Sequence, residues 1–234
     1  MKLFKIITIL FVLLSLPGFS QRHSELGVIL GTSYYVGELN RAMPIVNKVN
    51  PAIGVFYRKN LNSRYALRFG ANYGKLSASD NFNNNPFSEF RQLSFSSDLY
   101  EGYGILEFNF LPYSIGNNRV SLFSPYVFIG AAGFMVNPDL ESEVSSNVIS
   151  RGSLISFSIP FGAGIKFTIA KHWGVGLEWG MRKTFTDEID GLSETFANTY
   201  QLSNSQNKDW YSIVGITLNY KILTKDARCI GVVN

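Results

Sequence analysis

The chain has 234 residues, a formal net charge of +4 at pH 7 and one cysteine, Cys229. A single cysteine excludes an intrachain disulfide, and no run of Lys and Arg marks a nucleic-acid surface. Charged residues make up only 16% of the chain, against 15% aromatics and 21 glycines, a balance that suits a chain whose surface meets lipid.

The N-terminus carries Lys2 and Lys5, then an apolar run from Ile6 to Leu16 broken only by Thr8 and Ser15, then Pro17-Gly18-Phe19-Ser20. A basic start, a short apolar stretch and a small-residue site predict a secretory signal peptide over residues 1–20, cleaved after Ser20. The apolar run is short for an uncleaved anchor, and no cysteine follows it to accept lipid. Two of the net positive charges, Lys2 and Lys5, fall in this leader. No other apolar run is long enough to be a membrane helix. A membrane-embedded chain must then be a closed barrel, because lipid does not tolerate open sheet edges.

The remaining residues alternate. The first strand is expected over about Glu25 to Val36, with Leu26, Val28, Leu30, Tyr34 and Val36 on one face and Glu25, Gly27, Gly31 and Ser33 on the other. Gly37 to Asn50 reads as a long loop. The second strand, Ala52 to Arg58, sets Ile53, Val55 and Tyr57 against Gly54 and Arg58. Lys59 to Ser63 is a tight turn. The third strand sets Tyr65, Leu67, Phe69, Ala71 and Tyr73 against Ala66, Arg68, Gly70, Asn72 and Gly74. Asp80 to Arg91 is a loop. The fourth strand, Asp98 to Leu111, sets Tyr100, Leu106, Phe108 and Phe110 against Glu101, Tyr103, Glu107 and Asn109.

Pro112 to Arg119 is a medium turn. The fifth strand, Leu122 to Val136, alternates less cleanly, with Phe128 and Phe134 opposite Val127, Ile129 and Met135. Its Gly130-Ala131-Ala132-Gly133 run is expected to admit a close neighbour. Asn137 to Gly152 reads as a long polar loop. Two long runs follow, Ile155 to Ile169 and Trp173 to Lys183, joined only by Ala170, Lys171 and His172. Both exceed the five or six residues usual for a soluble strand and approach the length of a tilted membrane strand. Phe185 to Lys208 is the longest connection. The eighth strand, Trp210 to Ile222, sets Trp210, Val214, Ile216, Leu218, Tyr220 and Ile222 against Tyr211, Gly215, Thr217, Asn219 and Lys221. Residues 21–223 are thus expected to form an all-β, eight-stranded antiparallel up-and-down transmembrane β-barrel, and residues 224–234 a periplasmic C-terminal tail.

Two features separate a membrane barrel from a soluble one. Connections one, three, five and seven read as long, and two, four and six as short, so every long one falls at one rim. With the apolar faces outward, Glu25, Arg58, Arg68, Glu101, Glu107, Lys166, Glu178, Arg182 and Lys221 all point inward. A soluble ligand-binding barrel needs the reverse polarity. At eight strands the lumen is narrow. The nine charges read either as a salt-bridged plug or as the lining of a conduction path. Pairing makes buried charge tolerable, which favours the plug.

Candidate chemistry is sparse. His23 adjoins the cleavage site and His172 lies in a short turn. No Ser/His/Asp set converges, so no catalytic residue, cofactor or metal site is assigned. Asp187, Glu188, Asp190 and Gly191 could form an oxygen-ligand calcium loop or a solvated acidic loop, and their spacing is not that of an EF-hand. Cys229 reads as an intermolecular partner or as functionless. The short connections and tail form the expected docking surface, with Asn60, Asn62, Asn117, Asn118, Lys171, His172 and Cys229 as its polar contacts.

Several stretches resemble one family: Gly31-Thr-Ser-Tyr-Tyr-Val-Gly-Glu-Leu-Asn40, Leu93-Ser-Phe-Ser-Ser-Asp-Leu-Tyr-Glu101, Leu106-Glu-Phe-Asn-Phe-Leu-Pro-Tyr113, Phe123-Ser-Pro-Tyr-Val-Phe-Ile-Gly130, Met181-Arg-Lys-Thr-Phe-Thr-Asp-Glu-Ile-Asp-Gly191 and Asp209-Trp-Tyr211. Jointly they resemble the PorG-like outer-membrane barrels of Bacteroidota, which are associated with the type IX secretion system. The resemblance covers essentially the whole mature chain. It implies a non-enzymatic eight-stranded barrel in the outer membrane of a Gram-negative bacterium, in contact with outer-membrane lipid and with periplasmic ring lipoproteins. It implies no catalytic residue. A generic integrity or adhesion barrel and a narrow porin-like channel are the alternatives.

Overall fold

The computed structural model describes residues 24–36, 49–79, 93–115, 121–142, 149–150, 152–186 and 209–222. The expected leader, His23, Asn117, Asn118, the 187–191 acidic stretch and the tail with Cys229 lie outside these residues. The strands are β1 (Ser24–Val36), β2 (Asn50–Asn60), β3 (Tyr65–Ser79), β4 (Leu93–Asn109), β5 (Phe123–Ser142), β6 (Ile149–Ser150), β7 (Leu154–Thr168), β8 (Trp173–Thr184) and β9 (Trp210–Ile222). Eight of them form the barrel wall; β6 is a two-residue strand beside β5.

Every pairing between these strands is antiparallel. The order runs β4-β3-β2-β1-β9-β8-β7-β5, and β4 pairs with β5 to close the ring. First and last strands pair along their whole length, from Ser24 with Ile222 to Val36 with Trp210. Closure gives every wall strand two neighbours, so the barrel has no open edge for lipid to meet. Pro160, which has no N–H to give, interrupts the β5–β7 ladder between the Ile129–Phe161 and Ala132–Ser158 pairs, while it still faces Arg182 on β8.

The alternation places one side chain in two on each face. Leu26, Leu30, Ile53, Val55, Phe69, Ile129, Leu177, Trp179 and Ile216 face outward with 50–58% of their surface exposed. Their strand neighbours point into the lumen and are buried. An apolar exterior on a closed sheet is the polarity of a barrel that spans a membrane, and it excludes the soluble ligand-binding barrel.

Three expectations are corrected. The strands run further toward the rim of the long loops: β3 reaches Ser79, β4 begins at Leu93 and not Asp98, and β5 continues to Ser142. Consequently Asn137 to Gly152 is not one loop, because β5 and β6 pair within it at Asp139–Ser150 and Leu140–Ile149. Polar alternation past the lipid belt looks like loop in sequence, but backbone pairing continues there. The fourth connection, residues 110–122, is also no shorter than the first, 37–49, or the third, 80–92. Tyr34 keeps its expected place on the outer face, bonded through its hydroxyl to the outward Trp179 Nε1 at 3.0 Å, but is only 4% exposed.

The close approach expected around Gly130 is present there, where an added Cβ would lie 2.1 Å from the Gly104 carbonyl oxygen. It is absent at Gly133, where nothing lies nearer than 3.9 Å.

A charge placed on the outer wall meets lipid and has no partner. Leu177→Arg should destabilise the barrel folded in vesicles by about 2–4 kcal/mol, and Leu177→Ala by less, as measured by reversible denaturant titration. Equal stability of the arginine variant and wild type would show that this face is not in lipid.

Candidate functional site

Side chains from seven strands meet in the lumen. Glu25, Arg58, Arg68, Glu101, Glu107, Lys166, Glu178, Arg182 and Lys221 are each at most 7% exposed. Glu107 on β4 is central, with Arg58 Nε at 2.9 Å, Arg68 Nε at 3.0 Å and Lys166 Nζ at 2.5 Å. Arg58 also donates to Glu25 at 2.7 Å. Arg68 donates through both terminal nitrogens to Glu178, at 2.6 and 2.8 Å. β3 and β8 are four steps apart in the eight-membered ring, so this forked pair spans the barrel. Bidentate geometry gives it direction as well as strength.

A second cluster lies toward the long-loop rim. Glu101 accepts from Arg182 Nε at 3.1 Å, Asn72 Nδ2 at 2.6 Å and the Tyr211 hydroxyl at 2.6 Å. Its members come from β3, β4, β8 and β9, so it too crosses the lumen. Further out, the Tyr35 hydroxyl donates to Asp209, and Thr184 Oγ1 donates to the Asp209 carbonyl at 2.6 Å. These contacts tie the base of the longest connection to the barrel.

Aromatic rings fill the space between the charges. Phe56 lies under both Arg58 and Arg68, each 5.0 Å from its ring centre. Lys166 sits 4.1 Å from the Tyr126 ring, whose hydroxyl donates to Glu178 at 2.5 Å. Cations packed on ring faces gain attraction where water is excluded. The Phe56 ring needs Gly27 opposite it, since a Cβ there would lie 2.3 Å from the ring edge. Sequence reasoning did not assign Phe56 or Tyr126 to this network. The available signal was parity, since Tyr126 shares the buried face of Phe128 and Phe134. Among the described residues, no group of three His, Cys, Asp or Glu is arranged to hold a metal ion.

The short-turn end is closed by part of the fourth connection. Tyr113 and Ile115 are 3% and 1% exposed. Ile115 Cδ1 and the Tyr113 hydroxyl both pack over Gly174, and Lys221 Nζ donates to the Ile115 carbonyl at 2.7 Å. Burial pushes the Tyr113 hydroxyl up to about 12. This segment therefore does not offer Tyr113 or Ile115 for docking, because both side chains are spent on sealing the barrel.

Two other expected contacts also hold the structure itself. Asn60 donates to Glu25 at 2.7 Å, and Asn62 Oδ1 accepts from the Arg64 and Tyr65 amides at 2.8 and 2.7 Å. His172 is half-buried with its ring 6.2 Å from that of Tyr220, whereas Lys171 is exposed.

Neutralising Glu107 leaves three buried cations short of one shared carboxylate. Glu107→Gln should cost about 3–5 kcal/mol in denaturant unfolding. Asp98→Asn, which breaks the exposed 3.8 Å contact with Lys75, should cost less than about 1 kcal/mol. Similar losses in the two variants would refute a lumen held by paired charge.

Comparison with solved structures finds small membrane barrels. The attachment invasion locus protein Ail of Yersinia pestis, solved with the heparin analogue sucrose octasulfate, is 12% identical, with a TM-score of 0.48, over 86% of this chain and 99% of that one. The N-terminal β-barrel domain of Pseudomonas aeruginosa OprF is 12% identical, with a TM-score of 0.43, over 86% and 100%. The outer membrane protein OprG from P. aeruginosa is 11% identical, with a TM-score of 0.43, over 89% and 100%. No curated protein sequence matches the chain. A family model described as "Domain of unknown function (DUF6089)" matches residues 4–231, and the chain belongs to that family.

Proposed function

We propose that this protein is a non-enzymatic barrel of the outer membrane that works through its rims, as a scaffold component of type IX secretion docking periplasmic ring lipoproteins. The observation that carries a rim-based role is the filled lumen. Arg68 and Glu178 bridge opposite walls at 2.6 Å, so the interior holds the barrel together and is not free to act as a conduit. The assignment to secretion rests on the sequence stretches that resemble PorG-like barrels. Short connections facing the periplasm follow the usual arrangement of bacterial barrels, and Lys171 and Arg64 are exposed there.

A second reading is an adhesion or integrity barrel acting through the long-loop rim. The continuation of β5 to Ser142 and its pairing with β6 favour it, because they build out the rim that carries the long connections.

A mild-detergent pull-down of the tagged protein from native outer membranes, read by mass spectrometry, separates the two. Ring lipoproteins should be enriched for a scaffold. Recovery of the barrel alone, with ring proteins present in the input, would overturn the secretion role in favour of the long-loop rim. In planar bilayers the purified barrel should give no stepwise conductance. Steps whose size shifts in Glu107→Gln or Arg182→Gln would overturn the closed-lumen reading and establish a narrow channel.

A further inference from the structure

The outer wall is uneven at the short-turn end. Outward aromatics ring this level: Tyr57, Tyr65, Phe108 and Phe110, then Phe123 with Phe167, then Trp173 with Tyr220. β1 alone among the barrel strands contributes none, presenting Leu26 and Val28 instead. The gap is a recess of about 630 Å³ in the lipid-facing wall, bordered by Tyr57 on one side and Trp173 and Tyr220 on the other. It is apolar along its length. At its outer end Ser24 Oγ and the Tyr57 hydroxyl lie 2.7 Å apart.

Cations flank this recess. Lys59 follows Tyr57 on the same outward face and pairs in register with Ser24. Lys171 is exposed in the turn just before Trp173. Arg64, also exposed, donates to the Phe110 carbonyl at 2.7 Å beside the same belt. None of the three forms an ion pair among the described residues, and no described carboxylate at this rim is exposed, since Glu25 is buried against Arg58. The opposite rim differs: there the outward Lys75 meets Asp98 at 3.8 Å, and Lys183 lies over the Trp210 ring.

From this arrangement we infer a binding site for an anionic phospholipid. An acyl chain lies in the recess over Leu26 and Val28, and the headgroup phosphate is held by Lys59 and Lys171, with the Ser24 and Tyr57 hydroxyls as neutral donors. The inference rests on the membrane-spanning reading and adds to it a lipid class and a leaflet. An apolar slot gains by excluding water, and Tyr and Trp sit favourably at the headgroup level. Unpaired lysines at that level attract anionic headgroups by about 1 kcal/mol each, or about fivefold in affinity. Zwitterionic lipids fill the slot equally well, but their own ammonium offsets most of the attraction of their phosphate to the cations.

The test is native mass spectrometry of the refolded full chain from micelles containing equal phosphatidylglycerol and phosphatidylethanolamine. Wild type should retain the anionic lipid preferentially. Each of Lys59→Gln and Lys171→Gln should reduce that preference about fivefold, while the double variant Lys75→Gln/Lys183→Gln keeps it. Equal retention of both lipids by wild type, or an unchanged preference in Lys59→Gln/Lys171→Gln, would overturn the site. Heat-modifiable electrophoretic mobility reports separately on the barrel: loss of it in every variant and in wild type would sink the membrane-spanning reading itself.

Discussion

Glu107 lies fully buried between Arg58, Arg68 and Lys166, and the rest of the lumen follows from the need to keep that group charged and paired. An isolated carboxylate in a closed barrel would lose its hydration with nothing in return. Three cations from three strands compensate it, and two of them need further acceptors, which Glu25 and Glu178 supply. The result is one connected network and not a set of separate pairs. Because its members come from facing walls, it fixes which strands stand opposite one another. A one-residue slip of any strand would turn its charges into lipid and its apolar residues into the lumen.

The outer wall obeys the opposite requirement. It has no charged group along the middle of the barrel, and its polar and cationic residues collect at the ends. Closure through the β1–β9 pairing makes this possible, since it leaves no wall strand with an open edge in the belt. The two rims then diverge. One is extended by long strands and the β5–β6 pairing, with Asp98 and Asp209 among its charges. The other is tight, aromatic and cationic, and is sealed from within by Tyr113 and Ile115. A filled lumen between two unlike rims is the arrangement on which the proposed rim-based role rests.

Some of this was legible in the residues and some was not. The period-two pattern identified the eight wall strands and the inward parity of Arg68 or Glu178, because a half-lipid, half-lumen strand must alternate. It misplaced strand ends on the long-loop side, because Ser, Asp and Asn past the belt look like loop although they still pair. It also treated residues 112–119 as a turn open to a partner. Nothing local distinguishes a polar connection that hangs free from one that folds back under the barrel. The packing of Ile115 on Gly174 and the bond from Lys221 are contacts between segments far apart in sequence.

The chain's own order of residues therefore determined the class of fold, the wall strands and the sign of each face, since these depend on alternation and on lipid refusing open backbone. Which inward charge meets which was decided only by closure. Arg68 is separated from Glu178, and Glu101 from Tyr211, by 110 positions. Only the curvature and register of the closed sheet bring them across the lumen. The aromatic gap at β1 has the same origin, because a recess is a relation among neighbouring strands and no single strand encodes it.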